Sequence, residues 1–370
     1  MSLENLALFE TGDLPIKRNG DPVYNGKVRS VYWLNSKDSK RLIEERQYKV
    51  RKDTTLGVMV ISDRISAFEC NWQSENGLKG VPGKGASLNA MSEYWFKKFA
   101  EQRIGYQDHF LEAPHPLVWI VEKARPILIE AISRQYITGS LWVAYKKGER
   151  NFCGIELRDG LKEHQRLDEL LITPTTKGIM RGIPGVKEED DTNLTRQQIF
   201  QNFNEFGFLS EEDIKVYERL LTEATNLVSS DLESKGIILA DTKFEFGYFV
   251  DVNRKIRLGF IDEVGTLDSS RMWDAEQYAK GVVVENSKEG FRQFLKKNTD
   301  RAILEDKKRM EERRNLAASY RVPVEQFMEV SRIYKEMAEK ITGREIKEIE
   351  NPREEILDVL NNLGLLIKCL

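Results

Sequence analysis

The stretch that decides the fold is Gly236–Trp273, which reads G-I-I-L-A-D-T-K-F-E-F-G over its first twelve positions and ends in I-R-L-G-F-I-D-E-V-G-T-L-D-S-S-R-M-W. Its apolar runs, Ile237–Leu239 and Ile256–Ile261, are interrupted at Gly247 and at the polar run Asp251–Arg254. Short apolar runs bounded by turn-forming residues are typical of strands. We therefore predict a β-hairpin, with Gly247 breaking its first segment.

Charged residues follow this predicted hairpin in a regular pattern. Asp241, Lys243 and Glu245 alternate along the chain, so a strand would carry all three on one face. Asp262 and Glu263 come directly after the second apolar run. Carboxylates on neighbouring strands suit Mg²⁺, which prefers oxygen ligands and retains substrate phosphates in its shell. Alternating charge alone favours the solvated face of a surface hairpin, so the rest of the chain has to decide.

Length and composition predict a soluble globular protein with room for two domains. The 370 residues are 40% hydrophobic and 32% charged, which is ordinary for such proteins. There are 57 basic and 60 acidic side chains, so no net field attracts nucleic acid or a membrane surface. The sequence has no apolar run of membrane-spanning length and no signal-peptide pattern at its N-terminus. We predict a cytoplasmic protein without nucleic-acid or membrane partners, and leave monomer and homodimer open.

The cysteines and histidines do not suggest a disulfide framework or a zinc site. Cys70, Cys153 and Cys369 are odd in number and far apart, which fits a reducing compartment. Two of the three histidines flank a proline-bearing turn and the third lies in a polar run. We therefore expect no metal on these residues.

Several other segments carry groups that suit a phosphorylated ligand. Lys27 and Arg29 share one face of an alternating strand, although lysines also occur on exposed strand edges. The Gly-rich turn Val81–Ala86 has one lysine but lacks the spacing of a Walker loop, so an ordinary turn is favoured. Clusters of polar residues follow predicted strands or form loops at Ser62–Glu69, Arg134–Trp142 and Thr173–Lys177.

Helical patterns are confined to a few segments. A helix over Ala90–Ala100 would start from Ser87 or Asn89, and Leu34–Thr55 is so polar that we predict a long excursion between strands.

Beyond Glu285 the chain is helical and highly charged. Val324–Ile341 has one apolar stripe and ends at Gly343, and Pro352 opens a last helix.

Six blocks in a fixed order resemble the SAICAR synthetase family, the phosphoribosylaminoimidazole-succinocarboxamide synthases. The resemblance covers about residues 22–285, and Val324–Gly343 is similar to the family's closing helix more loosely. The blocks are Gly26–Arg29, Ser62–Phe68, Pro82–Gly85, Arg134–Trp142, Thr173–Lys177, and the two parts of the focal stretch, Gly236–Gly247 and Ile261–Trp273.

The resemblance implies a two-lobed α+β fold. An N-terminal lobe with an antiparallel sheet would span residues 1–121, an ATP-grasp-like lobe that binds nucleotide and substrate would span 122–285, and a helical C-terminal segment would span 286–370. It also implies an ATP- and Mg²⁺-dependent carbon–nitrogen ligase of de novo purine biosynthesis. This enzyme would join 5-amino-1-(5-phospho-ribosyl)imidazole-4-carboxylate to L-aspartate through an acyl phosphate, releasing ADP and phosphate.

The same resemblance implies roles for individual residues. Glu245 and Asp262 would hold Mg²⁺, while Lys243 and Asp241 would be catalytic and Glu263 would support them. The residues implied to contact ATP are Lys27, Arg29, Lys177 and the backbone at Glu122, Lys123 and Ala124, and those implied to contact the substrate are Arg134, Ser140, Arg271 and, as secondary candidates, Asp63, Arg64 and Ser66.

The chain departs from the family's pattern at a few positions. Asp190-Asp191-Thr192-Asn193 stands near the usual His-Asp-Glu-Asn block, Leu267 replaces a common proline, and Leu34–Thr55 and the C-terminal end look like additions. None of these departures removes a proposed metal ligand or phosphate contact.

Two other functions remain open from the sequence. A kinase-like phosphotransferase would share the order of lysine, hinge and carboxylates, but the G-x-G-x-x-G lid and the His-Arg-Asp loop are missing. A nucleotide sensor would keep the fold without turnover, which the altered 190–193 block and the additional C-terminal helix would explain.

Overall fold

The computed structural model describes residues 3–105 and 108–367, so Cys369 lies outside the described residues. Its strands, in chain order, are β1 (Tyr24–Asn25), β2 (Arg29–Trp33), β3 (Leu56–Ile61), β4 (Ile65–Ala67), β5 (Cys70–Ser74), β6 (Phe110–His115), β7 (Val118–Glu122), β8 (Arg125–Pro126), β9 (Ile129–Tyr136), β10 (Asn151–Phe152), β11 (Ile155–Glu156), β12 (Arg166–Ile172), β13 (Thr175–Thr176), β14 (Ile237–Val250), β15 (Ile256–Ile261), β16 (Ser270–Asp274) and β17 (Arg321–Val322).

The helices surround these strands. After a short 3₁₀ helix at Leu3–Leu6 come α1 (Ser36–Arg46), α2 (Lys84–Glu101), α3 (Gly139–Lys146), α4 (Arg196–Gln201), α5 (Glu211–Glu233), α6 (Ala275–Ala279), α7 (Lys288–Asn298), α8 (Arg301–Glu305), α9 (Met310–Ser319), α10 (Val324–Thr342) and α11 (Pro352–Asn362). Among the residues described, no helix combines the length and the apolar character needed to cross a bilayer.

Two antiparallel sheets position the functional groups. The first has the strand order β1-β2-β3-β7-β6 and contains only N-terminal strands. The second has the order β12-β9-β14-β15, with β13 on β9 and with β8 and β16 on β14, and α5 packs against it. Antiparallel sheets with helices packed beside them make an α+β fold, as predicted.

Strand β14 is the longest strand and the centre of the second sheet. It forms the predicted hairpin with β15, in which Glu245 pairs with Ile261 and Gly247 pairs with Gly259. The predicted break at Gly247 is wrong, because the strand continues through it to Val250. Gly247 instead permits a close approach: a Cβ there would lie 3.0 Å from the Ala124 Cβ, where β8 pairs with β14.

Leu34–Thr55 lies between β2 and β3 as predicted, whereas the predicted start of the next helix needs correction. The Leu34–Thr55 segment contains α1, whose N-cap Asn35 accepts a hydrogen bond from the Asp38 amide. Helix α2 begins at Lys84, earlier than predicted, because Gly83 forms its N-cap with φ 75°. Ser87 and Asn89 lie inside this helix, where their side chains donate to the Gly83 and Pro116 carbonyl oxygens instead of capping it.

The C-terminal helices belong to the same hydrophobic core as the N-terminal strands. Helix α10 packs on α2, and the Ser331 hydroxyl donates to the Pro82 carbonyl oxygen over 2.6 Å. It ends at Gly343 with φ 70°, which confirms the predicted cap, and α11 begins at Pro352 as predicted. The division of the chain at residues 122 and 286 stays a prediction.

Candidate active site

A cleft of about 1340 Å³ lies between the two sheets, and residues of α7 contribute to its lining. The predicted site residues that line it are Lys27, Arg29, Ser66, Glu122, Lys123, Ala124, Arg134, Ser140, Lys177, Asp241, Lys243, Glu245, Asp262, Glu263 and Arg271. Charged residues that are far apart in the chain therefore meet in one place.

Asp63 and Arg64 are the predicted site residues outside this lining. The buried Asp63 carboxylate accepts hydrogen bonds from the Leu8 and Gly85 amides, each over 2.8 Å. The Arg64 guanidinium donates to the Ser62 hydroxyl over 2.9 Å. Their side chains thus hold the N-terminal segment and the adjacent turns together, and a substrate contact of either residue stays a prediction.

Carboxylates meet at the end of the focal hairpin. Glu245 on β14 lies opposite the last residue of β15, and Asp262 and Glu263 follow that residue. Arg29 reaches this corner from β2, at 3.5 Å from the Asp262 carboxylate and 2.9 Å from that of Glu263. The Arg29 Nε is buried and has no hydrogen-bond partner among the described residues, so one donor is left for a ligand.

Lysines neutralise Glu245 from two sides. Lys243 Nζ lies 3.2 Å from its carboxylate and 2.8 Å from that of Glu130, and Lys177 forms a second ion pair with Glu245. Burial opposes the charged form of Glu245, but the two lysines outweigh it and lower its pKa to about 2. For Lys243, burial is outweighed by Glu245 and Glu130, so its pKa lies well above its usual value. Both groups are ionised at neutral pH.

Asp262 has the opposite balance. Burial, together with repulsion from Glu245 and Glu263, raises its pKa despite the attraction of Arg29. A divalent cation beside these carboxylates would favour the charged form of Asp262. Carboxylate oxygens are the ligands that Mg²⁺ accepts, and it fills its other positions with water and phosphate oxygens. The donor set of Glu245 and Asp262 fits this ion.

A second corner of the cleft is built for an anion. Asp241 accepts hydrogen bonds from Arg134 over 2.9 Å and from Arg271 over 2.6 Å, and so holds the two guanidinium groups side by side. Arg134 also donates to the Ser140 hydroxyl at the start of α3. A Cβ at Gly139 would lie 2.6 Å from the Arg271 guanidinium, so only glycine allows this approach. Two arginines, a hydroxyl and a helix N-terminus suit a phosphate group.

The segment Glu122–Ala124 connects the two sheets, and fewer of its backbone amides are free to bind a ligand than the sequence suggested. The Glu122 amide donates to the His109 carbonyl oxygen over 2.8 Å, and the Lys123 amide donates to that of Thr55 over 2.9 Å. These two amides are therefore used within the protein, and the Ala124 backbone lies beside them in the cleft lining. Contact between ATP and the backbone at Glu122, Lys123 and Ala124 stays a prediction.

The altered 190–193 block lies at the mouth of the cleft. Lys307 donates to the Asp190 carbonyl oxygen over 3.1 Å and lies 3.7 Å from the Asp191 carboxylate. Lys27 pairs with Glu69 nearby. Within the described part of the chain, Glu69, Asp190 and Asp191 are the group of three acidic side chains close enough to share a metal ion.

The sequence analysis missed several residues of the cleft. Glu130 lies on the same face of β9 as Arg134, an alternation that the sequence already contains. Lys288 and Arg292 are four residues apart in α7, so they share a helix face, but the sequence indicated only a helical, highly charged region there. His109 was dismissed as a metal ligand, and no sequence pattern connects it to the cleft it lines.

Comparison with known proteins identifies the family of this chain. The family model described as SAICAR synthetase matches residues 22–309. This chain belongs to the SAICAR synthetase family. It is 55% identical over 368 residues to phosphoribosylaminoimidazole-succinocarboxamide synthase of Colwellia psychrerythraea, which covers 99% of this chain and 100% of the relative. The resemblance predicted from the sequence blocks is confirmed.

Solved structures of SAICAR synthetases share the fold. The enzyme from Saccharomyces cerevisiae complexed with SAICAR has a TM-score of 0.61 and 26% identity, with 90% of this chain and 99% of that chain covered. A SAICAR synthetase in complex with ADP has a TM-score of 0.53 over 87% of this chain and 98% of its own, and at 22% identity it supports the fold alone.

Proposed function

We propose that this chain is the ATP-dependent ligase that joins 5-amino-1-(5-phospho-ribosyl)imidazole-4-carboxylate to L-aspartate in de novo purine biosynthesis. The observation that carries this proposal is the arrangement of two charged corners in one cleft. One corner suits a nucleotide's phosphates with a divalent cation, and the other suits the phosphate of a ribonucleotide. Family membership supports the same reaction.

The reaction requires activation of an inert acid. A carboxylate resists attack by an amine because its carbon is electron-rich and oxide is a poor leaving group. Transfer of the γ-phosphoryl group from ATP to a carboxylate oxygen gives ADP and an acyl phosphate. The aspartate amine then forms the new C–N bond, the C–O bond to phosphate breaks, and the nitrogen loses one proton. Catalysis of such transfers depends mainly on positioning and on neutralisation of charge.

Residues of the hairpin would perform this neutralisation. Lys243 is held between Glu130 and Glu245, so its ammonium is fixed and charged where the reacting carboxylate and the γ-phosphoryl group would meet. Glu245 and Asp262 would hold Mg²⁺, which supplies neutralisation of the phosphate charge when bound. Lys27, Arg29 and Lys177 would contact the nucleotide's phosphates.

The second corner would hold the ribonucleotide substrate. Arg134, Arg271 and Ser140 would bind its phosphate, and Asp241 would orient the two arginines through the hydrogen bonds it accepts from both. Asp241 was predicted to be catalytic, and its contacts support a positioning role instead. Ser66 lines the cleft and stays a candidate for substrate contact.

A coupled assay of ADP release tests this function. With ATP, Mg²⁺ and the imidazole carboxylate present, we expect sustained ADP release only after L-aspartate is added, together with one phosphate per ADP. ADP release that ignores aspartate would favour a kinase-like phosphotransferase. Nucleotide binding without any turnover would favour a sensor. We also propose a cytoplasmic monomer or homodimer, which size-exclusion chromatography with light scattering would distinguish.

A further inference from the structure

Asp262 has an unusual backbone conformation for a residue that carries a proposed metal ligand. Its φ angle is 61°, in the left-handed region that residues other than glycine rarely adopt. Such a conformation is strained and persists only when the surrounding structure holds it. Asp262 directly follows β15, and its carboxylate lines the cleft. The contacts of its backbone therefore decide where the carboxylate lies.

The residue that directly precedes β6 supplies such a contact. The His109 Nε2–H donates to the Asp262 carbonyl oxygen over 3.0 Å. The His109 amide also donates to the Phe260 carbonyl oxygen over 3.2 Å, so a single residue binds the chain on both sides of the end of β15. A carbonyl held in this way fixes the peptide that follows Asp262.

The imidazole ring of His109 is itself fixed. It is 4% exposed and packs edge-on against Phe96 and Trp119, with centroid distances of 5.7 and 6.0 Å. The main-chain carbonyl oxygen of His109 accepts a hydrogen bond from the Glu122 amide over 2.8 Å, at the start of the proposed nucleotide-binding segment. His109 thus connects that segment to the carboxylate corner without contacting a reacting group.

We propose that His109 is a positioning residue that holds the left-handed backbone at Asp262 and thereby aims its carboxylate at the divalent cation. This inference rests on the proposed function, because it assumes that Asp262 is a metal ligand. Groups that orient metal ligands typically contribute about 10- to 100-fold to metal affinity. The imidazole N–H performs that task here through the main chain.

The test compares two neutral amides at this position. In His109→Gln the side-chain amide nitrogen reaches approximately as far as the imidazole Nε2, whereas in His109→Asn it is too short to reach the Asp262 carbonyl oxygen. Mn²⁺ is titrated into each protein with ADP and followed by electron paramagnetic resonance, which requires no turnover. We expect His109→Asn to weaken Mn²⁺ binding about 10-fold or more, and His109→Gln to stay within about threefold of the unchanged protein.

Controls separate positioning from packing. His115, the last residue of β6, is also buried and lies 3.4 Å from the Glu355 carboxylate, away from the cleft. His115→Asn should leave Mn²⁺ affinity unchanged. His109→Phe keeps an aromatic ring against Phe96 and Trp119 without the N–H, and replaces His109→Asn if that variant does not fold. It should weaken Mn²⁺ binding to a similar extent.

Two outcomes would overturn the proposal. Equal Mn²⁺ affinity in His109→Gln and the variant without the donor would show that the hydrogen bond is not what positions Asp262. Losses of melting temperature with no change in Mn²⁺ affinity would assign His109 to packing alone. Absence of aspartate-dependent turnover in the unchanged protein would instead refute the proposed function, and that result is read in a separate assay.

Discussion

At the scale of single residues, the burial of Glu245 changes what its replacement should do. Its carboxylate is 5% exposed and neutralises both Lys243 and Lys177. Residues at the rim of a site can often be replaced without effect on the fold, but removal of a buried charge leaves its partners uncompensated. Replacement of Glu245 should therefore affect stability as well as turnover.

We predict that Glu245→Gln lowers kcat by at least about 100-fold, since it removes a metal ligand and the partner of Lys243. The free energy of unfolding of the same variant should be lower by about 3 kcal/mol, so that it unfolds at a lower urea concentration. ADP-release kinetics and urea unfolding followed by circular dichroism measure the two effects. A Glu245→Gln protein with unchanged Mg²⁺-dependent turnover would remove Glu245 from the site.

The arginine corner gives a second prediction. Arg271→Ala should raise the KM for the phosphorylated substrate by the equivalent of about 2–4 kcal/mol, because it removes a charge-assisted contact in a largely buried position. The KM for ATP should change little. The control Arg332→Ala removes only two exposed ion pairs on α10, with Glu329 and Glu336. Equal KM values in Arg271→Ala and the control would exclude Arg271 from substrate binding.

Asp63 gives a prediction about pH. Burial raises its pKa to about 6 in the folded protein, although two backbone amides favour the charged form. An acid whose pKa is higher in the folded state than in the unfolded state binds its proton more tightly in the folded state. Its protonation therefore favours folding at low pH, and this contribution is lost as pH rises from about 4 to about 6.

Asp63→Asn cannot ionise, so the free energy of unfolding should fall less with rising pH in this variant over that interval. Urea unfolding at pH 4 and at pH 6.5 measures the difference for both proteins. If the free energy of unfolding changes equally with pH in both proteins, the raised pKa of Asp63 is contradicted. The sequence placed Asp63 in a polar cluster after a predicted strand, but only the structure shows that its carboxylate points at backbone amides.

At the scale of secondary-structure elements, helix α10 stabilises a buried carboxylate beside the cleft. Its Tyr334 hydroxyl donates to Asp268 over 2.7 Å, and Asp268 in turn accepts from the buried Lys84 over 2.8 Å and lies 3.5 Å from Lys288. Burial, with the nearby Arg292, lowers the pKa of Lys288 to about 8 despite the attraction of Asp268. The helix thus helps to hold two lysines that share one carboxylate.

We predict that Tyr334→Phe lowers the free energy of unfolding by about 1–3 kcal/mol, because it leaves a buried carboxylate oxygen without its donor. Turnover at saturating substrate should fall less than in Glu245→Gln. Thermal unfolding compared with Tyr24→Phe, at an exposed tyrosine, measures the effect. A Tyr334→Phe protein as stable as this control would show that α10 does not support the cleft through Asp268.

The helices and strands show which structural features can be predicted from a local sequence pattern. Alternation predicted the hairpin and its charged face, and helix-end signals predicted Gly343 and Pro352 correctly. The start of α2 was wrong because Ser87 and Asn89, which resemble caps, use their side chains in contacts within and beyond the helix. Capping propensity is a local property, and those contacts depend on the complete fold.

At the scale of the whole molecule, the cleft joins segments that the sequence keeps far apart. The resemblance indicated which residues meet, because the blocks occur in the family's order, but it gave no contacts between blocks. The pairing of Arg29 with Glu263 and the bond from His109 to Asp262 join residues more than 150 positions apart. Likewise, the packing of α10 on α2 could not be read from a charged, helical C-terminal sequence.

The most direct test of this account is the position of the divalent cation. Crystals grown with ADP and Mn²⁺ and measured at the manganese absorption edge would locate the ion by its anomalous signal. We predict a peak contacted by the carboxylates of Glu245 and Asp262. A peak only at the acidic group of Glu69, Asp190 and Asp191, or no peak beside the hairpin, would contradict the account.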